Sequence, residues 1–135
     1  MMRKRTVSSI VAAASLLILV VAFHAWADDW MLLGSRTVAL IGERDEILVT
    51  ADMGTFKAIQ IRVIDTGVEF DRLVIVFRNG RTIEAPIREF IPAGGSTRVI
   101  DLPGRNRIIT KIIMHYKTRP GTLDRAQVEA WGLRN

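Results

Sequence analysis

The stretch STRVIDLPGRNRIITKIIMHY, residues 96–116, concentrates the side chains best suited to holding a charged ligand. From Arg98 to Arg119 there are six basic residues and one acid. Guanidinium forks bind carboxylates, phosphates and sulfates through paired hydrogen bonds, which an ammonium cannot do. Arg98, Arg105, Arg107 and Lys111 are therefore candidate ligand-binding residues, with Tyr116 as an accompanying aromatic. The hypothesis places the 103–107 loop and the 96–98 edge on one exposed patch. The competing reading is architectural: Arg98 and Lys111 fall on outward strand positions and pair with cross-strand acids.

Other chemistries find less in the chain. Acyl transfer needs a nucleophile, a base and an orienting acid. After residue 27 the sequence offers Ser35, Ser96, His115 and acids such as Asp101, with no G-x-S-x-G motif to join them. Glycoside hydrolysis needs two opposed carboxylates. Glu69 with Asp71 on one strand, or Glu43, Asp45 and Glu46 in a loop, are the pairs on offer. No catalytic residue is assigned, and the expectation is a protein that is not an enzyme.

With no cysteine and His115 as the one histidine after residue 27, zinc and copper are poorly served and no cofactor is expected. A structural calcium ion is the weaker alternative. Its oxygen ligands would come from GERDE (42–46) and ADMG (51–54), although the alternating acid series of a calcium loop is missing. Among the aromatics, Phe56, Phe70, Phe77 and Tyr116 lie within strand-like runs, where packing is the default. Trp30, Trp131 or Tyr116 would be the residues exposed for a sugar.

The elements that must position these groups begin after an N-terminal address. Arg3, Lys4 and Arg5 precede an apolar run from Ile10 to Phe23, and Ala25-Trp26-Ala27 supplies a small-x-small cleavage site. Residues 1–27 are thus expected to form a signal-peptide helix, with an uncleaved membrane anchor as the alternative. Its loss leaves 16 Lys+Arg against 14 Asp+Glu, so much of the formal charge of +5 belongs to the export signal. Basicity is then weak support for nucleic acid, which is not expected as a partner. The membrane enters only through an uncleaved N-terminus. The expected location is periplasmic or secreted.

Residues 28–135 suit one domain with one core, held by apolar burial because cysteine is absent. Period-two alternation runs nearly throughout. In FKAIQIRVID, Ile59, Ile61 and Val63 oppose Gln60 and Arg62. In DRLVIVFRNG, Leu73, Ile75 and Phe77 share one face, while Val74 and Val76 make the other apolar, as in a central strand covered on both sides. Asn79-Gly80 predicts a type I′ hairpin with positive φ at both residues. The return strand holds Pro86, which belongs at an edge. Strands are also expected at 31–40, 46–50, 97–102, 107–116 and 126–132, with Ile108, Ile112, Met114 and Tyr116 sharing a face. Eight short strands between frequent turns predict an all-β fold, an antiparallel sandwich or jelly roll.

Trp30-x-x-Leu33-Gly34-x-Arg36-x-Val38, Arg44-Asp45-x-Ile47, Phe77-x-Asn79-Gly80, Arg98-Val99-Ile100-Asp101-Leu102-x-Gly104-x-x-Arg107-x-Ile109 and Val128-x-Ala130-Trp131-Gly132 resemble a bacterial family of exported domains of unknown function. The resemblance implies an exported β-sandwich and transfers no catalytic residue. More loosely, the chain is similar to galactose-binding-like jelly rolls, which include carbohydrate-binding modules. Three functions follow as expectations: a non-catalytic binding module for an envelope carbohydrate or other anionic ligand, a protein–protein interaction module, such as one adding an edge strand to a partner, or a structural envelope module, and, last, a hydrolase.

Overall fold

Every connection but one carries the chain from one sheet to the other. The computed structural model describes residues 29–39, 42–104, 107–117 and 125–135; the expected signal segment, residues 1–27, lies outside them. Among the described residues there are eight strands: β1 (Trp30–Ala39), β2 (Arg44–Leu48), β3 (Phe56–Val63), β4 (Val68–Phe77), β5 (Thr82–Ile91), β6 (Ile100–Asp101), β7 (Ile109–Tyr116) and β8 (Arg125–Arg134). The first sheet has the order β1-β8-β3-β6 and the second β2-β7-β4-β5. Only β4 and β5 are consecutive neighbours within one sheet. The fold is an all-β antiparallel sandwich with jelly-roll character, as the alternation predicts.

The inner faces meet in one apolar core. Ile59, Ile61 and Val63 of β3, Leu73, Ile75 and Phe77 of β4, and Ala126, Val128 and Ala130 of β8 all enter it, while Gln60 and Arg62 point outward as read. Where strict alternation fails, an extra residue is responsible. Between Phe70 and Arg72 the register of β4 shifts against β7, where Asp71 is the extra residue, and against β5, where the extra residue lies on β5 between Pro86 and Glu89. The insertion lets Phe70 and Leu73, on opposite parities, both face inward.

A second shift, between Val76 and Phe77, places Ile109 opposite Phe77 and leaves Thr110 as the extra residue of β7. Ile109 therefore joins Ile112, Met114 and Tyr116 in the core, and Ile108 does not. This corrects the expected grouping of β7.

Three further expectations change. Among the described residues, central strand β4 is covered by a second layer on one side only: Val74 and Val76 face outward and are half-buried. Their cross-strand neighbours are Glu84 and Ile113, and Thr82 and Lys111, whose side chains shade them without a further layer. The β4–β5 hairpin forms at Asn79-Gly80, but only Gly80 has positive φ, at 84°. Gly80 N–H donates to Phe77 O at 2.9 Å and Phe77 N–H to Arg81 O at 2.9 Å. That is the three-residue loop in which a left-handed glycine follows an ordinary turn. The strand expected at 97–102 shrinks to Ile100–Asp101. Thr97 turns inward instead, its hydroxyl accepting from Ile61 N–H at 3.1 Å and donating to Arg98 O at 2.9 Å. Pro86 lies on edge strand β5, as expected.

With no cysteine to form a disulfide, the core alone must carry stability. Leu73→Ala is expected to cost about 3 kcal/mol by urea denaturation, whereas Leu48→Ala, at a side chain 73% exposed, is expected to stay within about 0.5 kcal/mol. Equal effects would contradict the assignment of inner and outer faces.

Candidate functional site

The sandwich separates the residues first considered as one patch. Arg105 lies outside the described residues. Arg107 is half-buried, its guanidinium 3.9 Å from the centroid of the Phe77 ring, and its carbonyl accepts from Phe56 N–H at 3.0 Å. It closes the core edge where β3 begins and β4 ends. Lys111 is on the outer face of the second sheet, its ammonium 3.6 Å from Glu46 Oε1. Arg44 donates to the same oxygen at 2.7 Å. That hydrogen bond first, and the charge of Lys111 after it, hold the Glu46 carboxyl below the usual range. Such exposed pairs add little to stability, because solvent screens them. Tyr116 is buried, at 4% exposure. Arg98 is exposed and belongs to the first sheet, on the opposite side of the molecule from Lys111.

Arg98 nevertheless has an aromatic neighbourhood, built by strand pairing. The register sets Gln60 beside Trp131 and Arg62 beside Glu129 across β3 and β8. On the other side of β3, Ser96 bridges to Arg62. These alternate positions share the outer face, and Arg98, next after the inward Thr97, returns to it. Gln60 Nε2 donates to Ser96 Oγ at 3.2 Å and to Thr97 O at 2.9 Å. The Arg62 guanidinium stacks 4.5 Å from the Trp131 ring centroid, and Trp131 Nε1 donates to Glu129 Oε1 at 3.2 Å. The outcome is a half-buried indole on a sheet face, oriented by a carboxylate, stacked by Arg62 and set beside Gln60, with Ser96 and Arg98 on the same face across β3. Neither Arg62 nor Arg98 forms an ion pair with a carboxylate among the described residues. Sequence alternation places Gln60 and Arg62 outward, but nothing local announces that Trp131 lies beside them.

The serine and histidine expected of an acyl-transfer site stand apart. Ser96 is on the outer side of the first sheet and His115 on that of the second, with the core between them. Asp71 is ion-paired with Arg72 at 3.0 Å. Among the described residues no three His, Asp or Glu side chains group as metal ligands. Asp45, in the loop considered for calcium, binds Arg36 Nε at 3.1 Å and the Tyr116 hydroxyl at 3.2 Å.

Tyr116 ties the two sheets together. Its hydroxyl, at the end of β7, lies 3.1 Å from Ala39 O in β1 and 3.2 Å from Asp45 Oδ2 in β2. Gly42 makes room for it, since a Cβ there would stand 2.7 Å from the hydroxyl. Burial first, and then the adjacent Asp45 charge, push the phenol up to about 12.

The chain matches the family model described as Domain of unknown function (DUF2541) over residues 9–132, and it belongs to that family. No curated protein matches it. Among solved structures it is similar to Pseudomonas aeruginosa AlgX, with a TM-score of 0.52 and 17% identity over 78% of this chain and 27% of that one. It is also similar to a chain of Sulfolobus turreted icosahedral virus (TM-score 0.48, 11% identity, 78% and 45% covered). A third likeness is to the SPBc2 prophage-derived protein YomS (TM-score 0.42, 9% identity, 77% and 90% covered). The likeness to AlgX is one of fold, and this chain spans about a quarter of the AlgX length.

The phenol of Tyr116 gives a direct test, because it is the chain's one tyrosine. A folded-state value above the unfolded value of about 10 means the fold holds the proton more tightly. Its stabilisation is complete below about pH 10 and is lost as pH rises through about 12. Phenolate absorbance is expected to rise together with loss of the near-UV tertiary signal. Tyr116→Phe is expected to cost about 1 kcal/mol at neutral pH and to remove this alkaline component. A phenol that titrates near its ordinary value in the folded protein would contradict the contact.

Proposed function

We propose that this member of DUF2541 is a non-catalytic binding module of the bacterial envelope that recognises an anionic carbohydrate on the outer face of its first sheet. The observation that carries the reading is the outward-facing Trp131 with the Arg62 guanidinium 4.5 Å from its ring and Gln60 in register beside it. An indole offers an apolar surface to the C–H face of a sugar ring, and convergent polar groups fix its hydroxyls. Gln60, Ser96 and Glu129 supply such groups. Arg62 and Arg98 add bidentate donors for a carboxylate or sulfate substituent.

The location rests on sequence: the basic start, the apolar run to Phe23 and the Ala25-Trp26-Ala27 site, with no cysteine anywhere. Among the described residues no helix is long and apolar enough to cross a membrane. Edge-strand addition to a protein partner has less support. Along β5 the edge carries Pro86 and a register shift opposite Asp71, both of which interrupt a regular ladder.

The full chain should be titrated with uronic-acid and sulfated oligosaccharides, with neutral oligosaccharides of equal length as controls, and followed by calorimetry. Acidic glycans are expected to bind more tightly than neutral ones. Trp131→Ala is expected to weaken binding about tenfold or more, the loss of an aromatic contact of roughly 1–3 kcal/mol. Arg98→Ala is expected to remove most of the preference for acidic glycans. Unchanged affinity in Trp131→Ala, or equal binding of neutral and acidic glycans, would overturn the reading.

A further inference from the structure

We infer that the opposite face of the sandwich holds a second site, for a small oxyanion, centred on the row Arg44–His115–Arg72 and controlled by the protonation of His115. This inference does not depend on the carbohydrate face.

The row is set by backbone pairing across three strands. Arg44 of β2 is in register with His115 of β7, and His115 with Arg72 of β4. Neighbouring strands lie about 4.8 Å apart, so the three side chains rise from the outer face within reach of one tetrahedral or carboxylate anion. Beside them is an open depression of about 540 Å³, lined by Glu43, Asp71, Arg72, His115, Tyr116 and Lys117. A second depression, which Arg44 helps to line, lies toward β2.

The local backbone is irregular on both sides of β4. Both pairings of β4 shift register at Asp71, next to Arg72. Across the bulge, Arg88 of β5 has φ of 49°, the one positive value outside glycine among the described residues. A non-glycine residue in that region is strained and persists where the surroundings enforce it. Here the irregularity turns Asp71 and Arg72 to the same depression, with Arg72 Nη1 donating to Asp71 Oδ2 at 3.0 Å.

Existing ion pairs hold the arginines in place without saturating them. Arg72 Nε lies 2.9 Å from Glu84 Oε1 as well, and Arg44 donates to Glu46 at 2.7 Å. A guanidinium carries five N–H donors, so each keeps donors for a ligand. His115 is the uncommitted member, with no hydrogen bond to a described residue. The charged groups around it are Arg44 and Glu43 from the β2 side, Asp71 and Arg72 from β4, Glu84 from β5, and Lys117 beyond the end of β7. Burial, followed by the charges of Arg72 and Arg44, lowers the imidazole below its ordinary value, and Asp71 and Glu84 oppose this more weakly. An anion over the row reverses that balance. It favours the imidazolium and gains from it, and the two effects are equal by linkage.

The test is an NMR titration of the His115 imidazole in the full chain, with and without sulfate, which keeps its charge across the range. Ionic strength is held equal with chloride, and His115→Gln assigns the resonance. The His115 value is expected to rise by about one unit at saturating sulfate, matched by sulfate binding that tightens toward about tenfold as pH falls from above the bound value to below the free one. Arg72→Ala is expected to abolish the rise, with retained dispersion of the amide spectrum reporting an intact fold, and Trp131→Ala to leave it unchanged. A rise reproduced by chloride alone, or binding of sulfate independent of pH, would overturn the site. Failure of glycan binding with a persisting sulfate response would overturn the carbohydrate reading alone.

Discussion

Burial of two apolar inner faces against one another is the interaction on which everything else in this protein depends. The chain has no cysteine and hence no cross-link, so the sheets stay together because Ile59, Ile61, Phe70, Leu73, Ile75, Ile112 and Met114 leave water as one cluster. Nearly every connection crosses between the sheets, so each strand is fixed by its neighbours and by the opposite layer at once. Once the inner positions are committed to the core, the alternate positions have only solvent or a ligand to face. The outer faces are where this sequence can carry function.

The core also explains the irregularities. Phe70 and Leu73 can both be buried only if a residue is added between them, and Asp71 is that residue. Ile109 and Ile112 stand in the same relation across Thr110, whose hydroxyl donates to Val76 O at 3.1 Å. Each bulge keeps large side chains inside and rotates polar ones outward. The bulge at Asp71 thereby creates the depression beside His115. Tyr116 complements this packing at the sandwich rim, where a buried hydroxyl with two acceptors links β7 to β1 and β2. Fold and candidate sites are consequences of one arrangement.

Much of this was legible in the residues. Alternation in FKAIQIRVID gives the outward Gln60 and Arg62, Asn79-Gly80 gives the hairpin, and Pro86 gives an edge strand. Bulges were not legible, because an inserted residue looks like any other until the partner strand is known. The inward turn of Thr97, whose hydroxyl takes the Ile61 N–H while its own N–H still donates to Ile61 O, was hidden for the same reason. The basic stretch 96–116 looked like one motif, yet Arg98 and Lys111 belong to different sheets. What brings Trp131 beside Arg62 is a pairing between strands about seventy positions apart in sequence. No local pattern encodes that neighbour.

The proposed recognition surface is the face of β3 and β8, with residues 96–98. The most direct measurement is backbone and indole chemical-shift mapping of the full chain as an acidic oligosaccharide is added. The account predicts that the largest perturbations fall together on Gln60, Arg62, Ser96, Arg98, Glu129 and the Trp131 indole. Perturbations confined to the loops or to the β2-β7-β4-β5 face, or none at all, would contradict it.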